Sequence, residues 1–241
     1  AWTPAGVRGD DADAMNGSAA MYDVGKILTV GGAPDYSDSV ATANANVIDL
    51  NGPSPVVTKL GGMHSARAYS YASVLPDGTV LITGGQAYAK GYTDETAVMK
   101  PELFDPTTGT FTELAPMTVP PTYHSFGLLL PAATVLVGGG GLCGCCRHDQ
   151  AYHPLFTPPY LDGKQASRPV ITQAPTAASA GSTLSVRTDR PVSTFSLVSM
   201  GSATHSVDTD QRRVPLTPTV EAAGSFSLVL PTDPPQLVPA P

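Results

Sequence analysis

Histidine and cysteine carry the most distinctive chemistry in this chain, and both are scarce, with five His and three Cys in 241 residues. Tyr123 and His124 stand side by side. A phenol beside an imidazole can offer oxygen and nitrogen to one metal ion. Strand geometry opposes this, because successive residues face opposite ways, so the pair shares a metal only where the backbone bends or leaves the strand. Packing or a surface position is the alternative reading. His205 lies in Gly201-Ser-Ala-Thr-His-Ser-Val-Asp-Thr-Asp-Gln-Arg-Arg213, a stretch of hairpin composition that by itself reads as a satisfied polar loop.

The cysteines cluster as Cys143-Gly144-Cys145-Cys146. One reading is a local disulfide between Cys143 and Cys146 in an oxidising compartment, with Cys145 left over. Such a bridge closes too small a loop to contribute much entropy and would fix loop shape. The other is a zinc clip of Cys143, Cys146, His148 and His153, where the single residue between Cys146 and His148 is cramped. The glycines at 138–141 lead into cysteines rather than a helix, which removes a nucleotide-binding reading. No Gly-x-Ser-x-Gly elbow supports a hydrolase.

A repeat positions these residues. Val80-Leu81-Ile82-Thr83-Gly84-Gly85 has counterparts ending at Gly31-Gly32 and Gly139-Gly140, spaced 53 and then 55 residues apart. Each β-branched run follows a turn signal such as Pro76-Asp77-Gly78, and an apolar segment precedes the turn, which predicts a hairpin. A third strand follows each glycine pair, over 46–50, 102–105 and 151–157, and a clear fourth follows Asp105-Pro106 in the second repeat. Four strands at a period near 50 describe a kelch-type propeller blade. Tyr123-His124 opens the inner strand of the third blade, where the second blade has Ala68-Tyr69.

Three blades fill residues 1–160, and a propeller closes only with roughly four to eight. Further blades are therefore expected outside this chain, upstream of Ala1, which is not an initiator Met. After a turn-rich linker the glycine-pair period stops. Alternating strands at 183–187, 194–198, 202–207 and 225–230 then predict an Ig-like β-sandwich over 168–241, shorter than the usual domain of about 100 residues and clipped at its Pro-rich end. The fold class is all-β.

Composition agrees. Gly and Pro, 24 of each, occupy roughly a fifth of the positions, against about 12% on average. Charged residues make up 14% and apolar residues 41%, enough for a core. A net charge of −7 gives no footprint for nucleic acid or an anionic membrane. No apolar run approaches the 18 residues of a helical span, since 126–137 is cut by Pro131.

Several segments together resemble galactose oxidase, glyoxal oxidase and related copper-radical oxidases, in their C-terminal portion. They include Arg8-Gly-Asp-Asp-Ala-Asp-Ala-Met15, Gly25-Lys-Ile-Leu-Thr-Val-Gly-Gly-Ala-Pro-Asp-Tyr36, Leu75-Pro-Asp-Gly78, Tyr123-His-Ser125, Gly138-Gly-Gly-Gly-Leu-Cys-Gly144 and Ala203-Thr-His-Ser-Val-Asp-Thr-Asp-Gln-Arg-Arg213. The resemblance implies a seven-bladed kelch propeller followed by an E-set sandwich, a hairpin of which carries a histidine to copper. Tyr123 matches the family's axial tyrosine and general base, His124 the neighbouring ligand, and His205 the ligand from the hairpin. Arg8, Tyr36, Ser37 and Tyr92 match substrate contacts, with Ser37 replacing a longer amide and Tyr92 a Phe. The bridged cysteines of the family match Cys143 and Cys146, and Cys145 departs from the pattern by standing where relatives carry Asp.

The implied activity is oxidation of a primary alcohol, carbohydrates included, or an aldehyde, with O₂ reduced to H₂O₂ by a secreted enzyme. The family's Tyr-Cys radical cofactor and stacking Trp come from upstream blades, so this chain is expected to hold part of the copper site and to work with an upstream fragment of the same protein. A non-catalytic kelch and sandwich module that binds glycans or a protein is the rival reading.

Overall fold

The computed structural model describes residues 6–12, 14–140, 154–203, 208 and 210–232. Among these, the regular structure is all strand apart from a three-residue 3-10 turn at Gln165–Ser167, and no helix is long and apolar enough to cross a membrane.

The chain starts with β1 (Ser18–Asp23) and β2 (Lys26–Val30), sends out a two-residue β3 (Ser39–Val40), and returns as β4 (Ala45–Asp49) and β5 (Val56–Lys59). β1, β2, β4 and β5 form one antiparallel sheet in that order. The pattern repeats with β6 (Tyr71–Val74), β7 (Val80–Thr83), a short β8 (Tyr88–Ala89), β9 (Glu102–Asp105) and β10 (Thr110–Glu113), giving the sheet β6-β7-β9-β10. A third sheet holds β11 (Phe126–Leu129), β12 (Val135–Gly138) and β13 (Leu155–Phe156). The strands at 102–105 and 80–83 fall where the sequence predicts them. β5 was not foreseen, because its residues are largely exposed and show no apolar alternation.

Burial shows how the sheets stack. β6 and β7 are buried at every position, so the second blade is covered on both faces. β1 alternates, with Ala20 and Tyr22 buried and Ala19 exposed, as a one-sided sheet does. Leu28, Val30, Val74, Val80, Ile82 and Phe104 fill the gap between the first and second blades. Leu75, Leu81, Val135 and Val137 fill the gap between the second and third. The inner strands β1, β6 and β11 lie side by side, and Ser73 donates its Oγ to Gly127 O at 3.2 Å. The three sheets do not close a ring.

The glycine pairs allow this stacking. Gly84 has φ 63°, and a side chain there would strike the Pro121 carbonyl. Only glycine tolerates both the left-handed backbone and the close approach.

Residues after the linker form an antiparallel sheet of β14 (Ile171–Gln173), β15 (Thr183–Thr188), β18 (Pro218–Ala222) and β19 (Ser225–Val229) in the order β14-β15-β19-β18. A second sheet pairs β16 (Phe195–Val198) with β17 (Arg213–Leu216). Val186, Val214, Leu216, Leu228 and Leu230 form the core, on which Val24 of the first blade also packs.

Candidate metal centre and tyrosine cluster

Two residues before the inner strand of each blade stands a residue with left-handed backbone: Asn16 at φ 60°, Tyr69 at 59° and His124 at 65°. Such backbone costs a bulky residue about 1–3 kcal/mol and persists only where its surroundings enforce it. At His124 the turn removes the strand alternation that would part it from Tyr123. The two rings lie 3.8 Å apart between centroids and are tilted by 30°. The condition set by the sequence, a backbone that bends at this pair, is met.

Tyr123 is 8% exposed and sits among other tyrosines. Its ring meets Tyr69 at 5.1 Å, Tyr92 at 5.1 Å and Tyr36 at 6.0 Å, all edge-on, an arrangement that suits the aromatic quadrupole. Tyr92 also meets the His124 ring at 6.0 Å. The hydroxyls of Tyr36 and Tyr123 are hydrogen-bonded to each other. That bond, with burial adding to it, pushes the Tyr123 phenol above its ordinary value of 10. Tyr123 would thus stay neutral near pH 7 without a cation beside it to stabilise the phenolate.

Tyr36 and Tyr92 reach Tyr123 because the loops of two blades pair. β3 and β8 are antiparallel, with Ser39 opposite Ala89 and Val40 opposite Tyr88. Gln86 Nε2 then fixes the second loop by donating to Thr93 O at 3.2 Å and Glu95 O at 3.0 Å. Tyr36 is 45% and Tyr92 53% exposed, so both border solvent beside the buried Tyr123.

Of the residues singled out from sequence, Tyr36, Tyr92, Tyr123 and His124 come together. Ser37 lies at the margin, its Oγ 3.5 Å from the Tyr69 hydroxyl. Arg8 is held by Asp11, with Nη2 at 3.1 Å from both the carbonyl and the carboxylate, and none of its hydrogen bonds among the described residues reaches a tyrosine. Cys143, Cys146 and His205 lie outside the described residues. Among the described residues, no three His, Cys, Asp or Glu side chains are grouped so that they could hold a metal ion. A phenol and an imidazole carried on one turn are donor types that suit tetragonal Cu(II).

Hydrogen bonds anchor described residues on both sides of position 205. Asp208 is buried and accepts the Tyr71 hydroxyl at 2.7 Å, Ser202 N–H at 3.0 Å and Gln211 N–H at 3.1 Å. Gln211 Oε1 accepts Val74 N–H. Arg213 Nε donates to Pro76 O and to Ser196 Oγ, each at 2.9 Å. Asp208 and Gln211 are thereby fastened onto β6, whose chain enters at Tyr69. The sequence gives no sign of Tyr71, and marks Tyr69 only as the repeat counterpart of His124, with no role at the site.

Residues 168–241 match the family described as Galactose oxidase-like, Early set domain. Galactose oxidase of Gibberella zeae is 45% identical over 235 residues, covering 94% of this chain and 35% of that protein. Aldehyde oxidase GLOX of Vitis pseudoreticulata is 31% identical over 238 residues, 89% of this chain and 45% of that protein. A solved structure described as a novel fungal alcohol oxidase with catalytic diversity among the AA5 family, in complex with copper, superposes with a TM-score of 0.91 at 41% identity, over 96% of this chain and 51% of that one. The chain thus spans about a third of the galactose oxidase it matches and about half of the solved oxidase. In sequence and in fold alike, it is galactose oxidase-like along nearly its whole length.

Proposed function

We propose that this chain is part of a secreted copper-radical oxidase that converts a primary alcohol, carbohydrates included, or an aldehyde, with O₂ reduced to H₂O₂. For an alcohol the balance is RCH₂OH + O₂ giving RCHO + H₂O₂. The observation that carries the reading is the left-handed turn at His124, which lays its imidazole against Tyr123 at the mouth of a tyrosine-lined site.

In this reading Tyr123, His124 and His205 hold copper. Bound copper, with a Tyr-Cys radical cofactor contributed from outside these 241 residues, supplies the two-electron chemistry and the charge that stabilises a phenolate. Tyr123 Oη takes the substrate hydroxyl proton as general base. Tyr36, bonded to that oxygen and bordering solvent, gives the proton a short way out. Tyr92 covers His124 and limits water access. Arg8, released in part from Asp11, would fork onto two hydroxyls of a sugar.

The test is a peroxide assay with primary alcohols, using copper-loaded protein together with its upstream blades. Tyr123→Phe and His205→Ala are each expected to lower turnover by a hundredfold or more, about what a general acid–base group contributes. Full peroxide production in both variants overturns the assignment. Tight copper binding without peroxide favours a binding module.

A further inference from the structure

The left-handed entry residues of the three blades act together. Tyr69 N–H donates to Asn16 O at 2.9 Å, and Ser125, which follows His124, donates its Oγ to Tyr69 O at 3.2 Å. The same position in successive blades therefore presents an amide, a phenol and an imidazole at one end of the sheets. His124 lies on the Tyr123 ring. The other two converge on a single atom, the main-chain oxygen of Tyr36: Asn16 Nδ2 donates to it at 2.9 Å, and the Tyr69 hydroxyl donates to it as well.

A carbonyl oxygen has two lone pairs, and these two donors fill both. Tyr36 belongs to an exposed loop and is 45% exposed, whereas Tyr69 is fully buried. A buried blade residue thus grips an exposed loop at the residue whose phenol bonds Tyr123. We infer that Asn16 and Tyr69 are positioning residues, a two-donor clamp on the Tyr36 carbonyl that fixes the Tyr36 hydroxyl against the Tyr123 hydroxyl. The catalytic meaning of the clamp rests on the function proposed above. Its existence does not.

Tyr69→Phe keeps the ring against Tyr123 and removes only the donor. Asn16→Gly removes the amide and suits the left-handed backbone. Hydrogen exchange is measured first, on the chain without added metal. Amides of residues 35–41 are expected to exchange about tenfold faster in the double variant, with β6 and β7 unchanged, because a loop that loses its anchoring bonds opens locally. Unchanged exchange at 35–41 overturns the clamp, whatever the protein's activity.

Kinetics of the copper-loaded oxidase with its upstream blades then test the positioning role. Each single change is expected to lower kcat/KM about threefold, and the double about thirtyfold, more than the product, since either donor alone still holds the carbonyl. In a Tyr36→Phe background Tyr69→Phe adds nothing. An equal loss with and without the Tyr36 hydroxyl, or faster exchange with unchanged kinetics, overturns the role. Absence of peroxide from the unsubstituted protein counts against the proposed function and leaves the exchange result to decide the clamp.

Discussion

A single torsion separates the bland reading of Tyr123-His124 from the chemical one. Adjacent residue types could be read from the sequence, but the φ of 65° at His124 could not, because the neighbouring blades enforce it through bonds such as Ser125 Oγ to Tyr69 O. The role of Tyr69, which the repeat marks only as the counterpart of His124, is hidden for the same reason: its hydroxyl finds Tyr36 only after two blades have stacked. Burial at the residue scale also makes a pH claim. Arg67 and Glu102 are both fully buried and meet at 2.5 Å. Burial alone would raise the Glu102 carboxyl, but N–H donors from His64 and Ser65 and the Arg67 charge outweigh it and hold it below 4.5. A carboxylate depressed on folding contributes stability that is fully present above its unfolded value and is lost as pH falls through the folded one. Thermal unfolding should therefore show an acid limb beginning near pH 4.5. Glu102→Gln should lower stability by about 3–5 kcal/mol at neutral pH, leaving Arg67 buried without its charge partner, and flatten that limb. An acid limb of unchanged steepness would show that the carboxylate is not its source.

Elements reach the site by two routes of unequal visibility. The long strands were legible, because β-branched runs closed by glycine pairs carry their own turn signals. β3 and β8 were not, since two residues become a strand only by pairing with a loop 49 positions away, and they are what place Tyr36 and Tyr92 around Tyr123. The segment 201–213 reads as a polar loop by composition and as a ligand-bearing hairpin by resemblance. Asp208 and Gln211 bind described residues of this stretch to β6. Asp208→Ala removes acceptors from Tyr71, Ser202 and Gln211 at once. It should cost about 2 kcal/mol or more, as loss of hydrogen bonds to a charged group does, and weaken copper binding about tenfold or more, as removal of an outer supporting group does. Calorimetric copper titration checks this, and wild-type affinity in the variant would separate the docking of this segment from the metal site.

At the scale of the molecule, the one-sided burial of β1 and the two-sided burial of β6 and β7 describe an open stack of blades with the second domain fastened to its inner strands. Arithmetic on the repeat foresaw that three blades do not close a ring, and the similarity to longer oxidases gives the open first blade a neighbour in the proposed function. The central claim is that one phenol and two imidazoles, from the third blade and from the segment docked on the second, meet at a single copper ion. Electron paramagnetic resonance of the Cu(II)-loaded chain tests it most directly. One copper per chain with two imidazole nitrogens in its plane, falling to one in either His124→Ala or His205→Ala, is the expected result. A spectrum unchanged by either substitution would place the copper elsewhere and contradict the account.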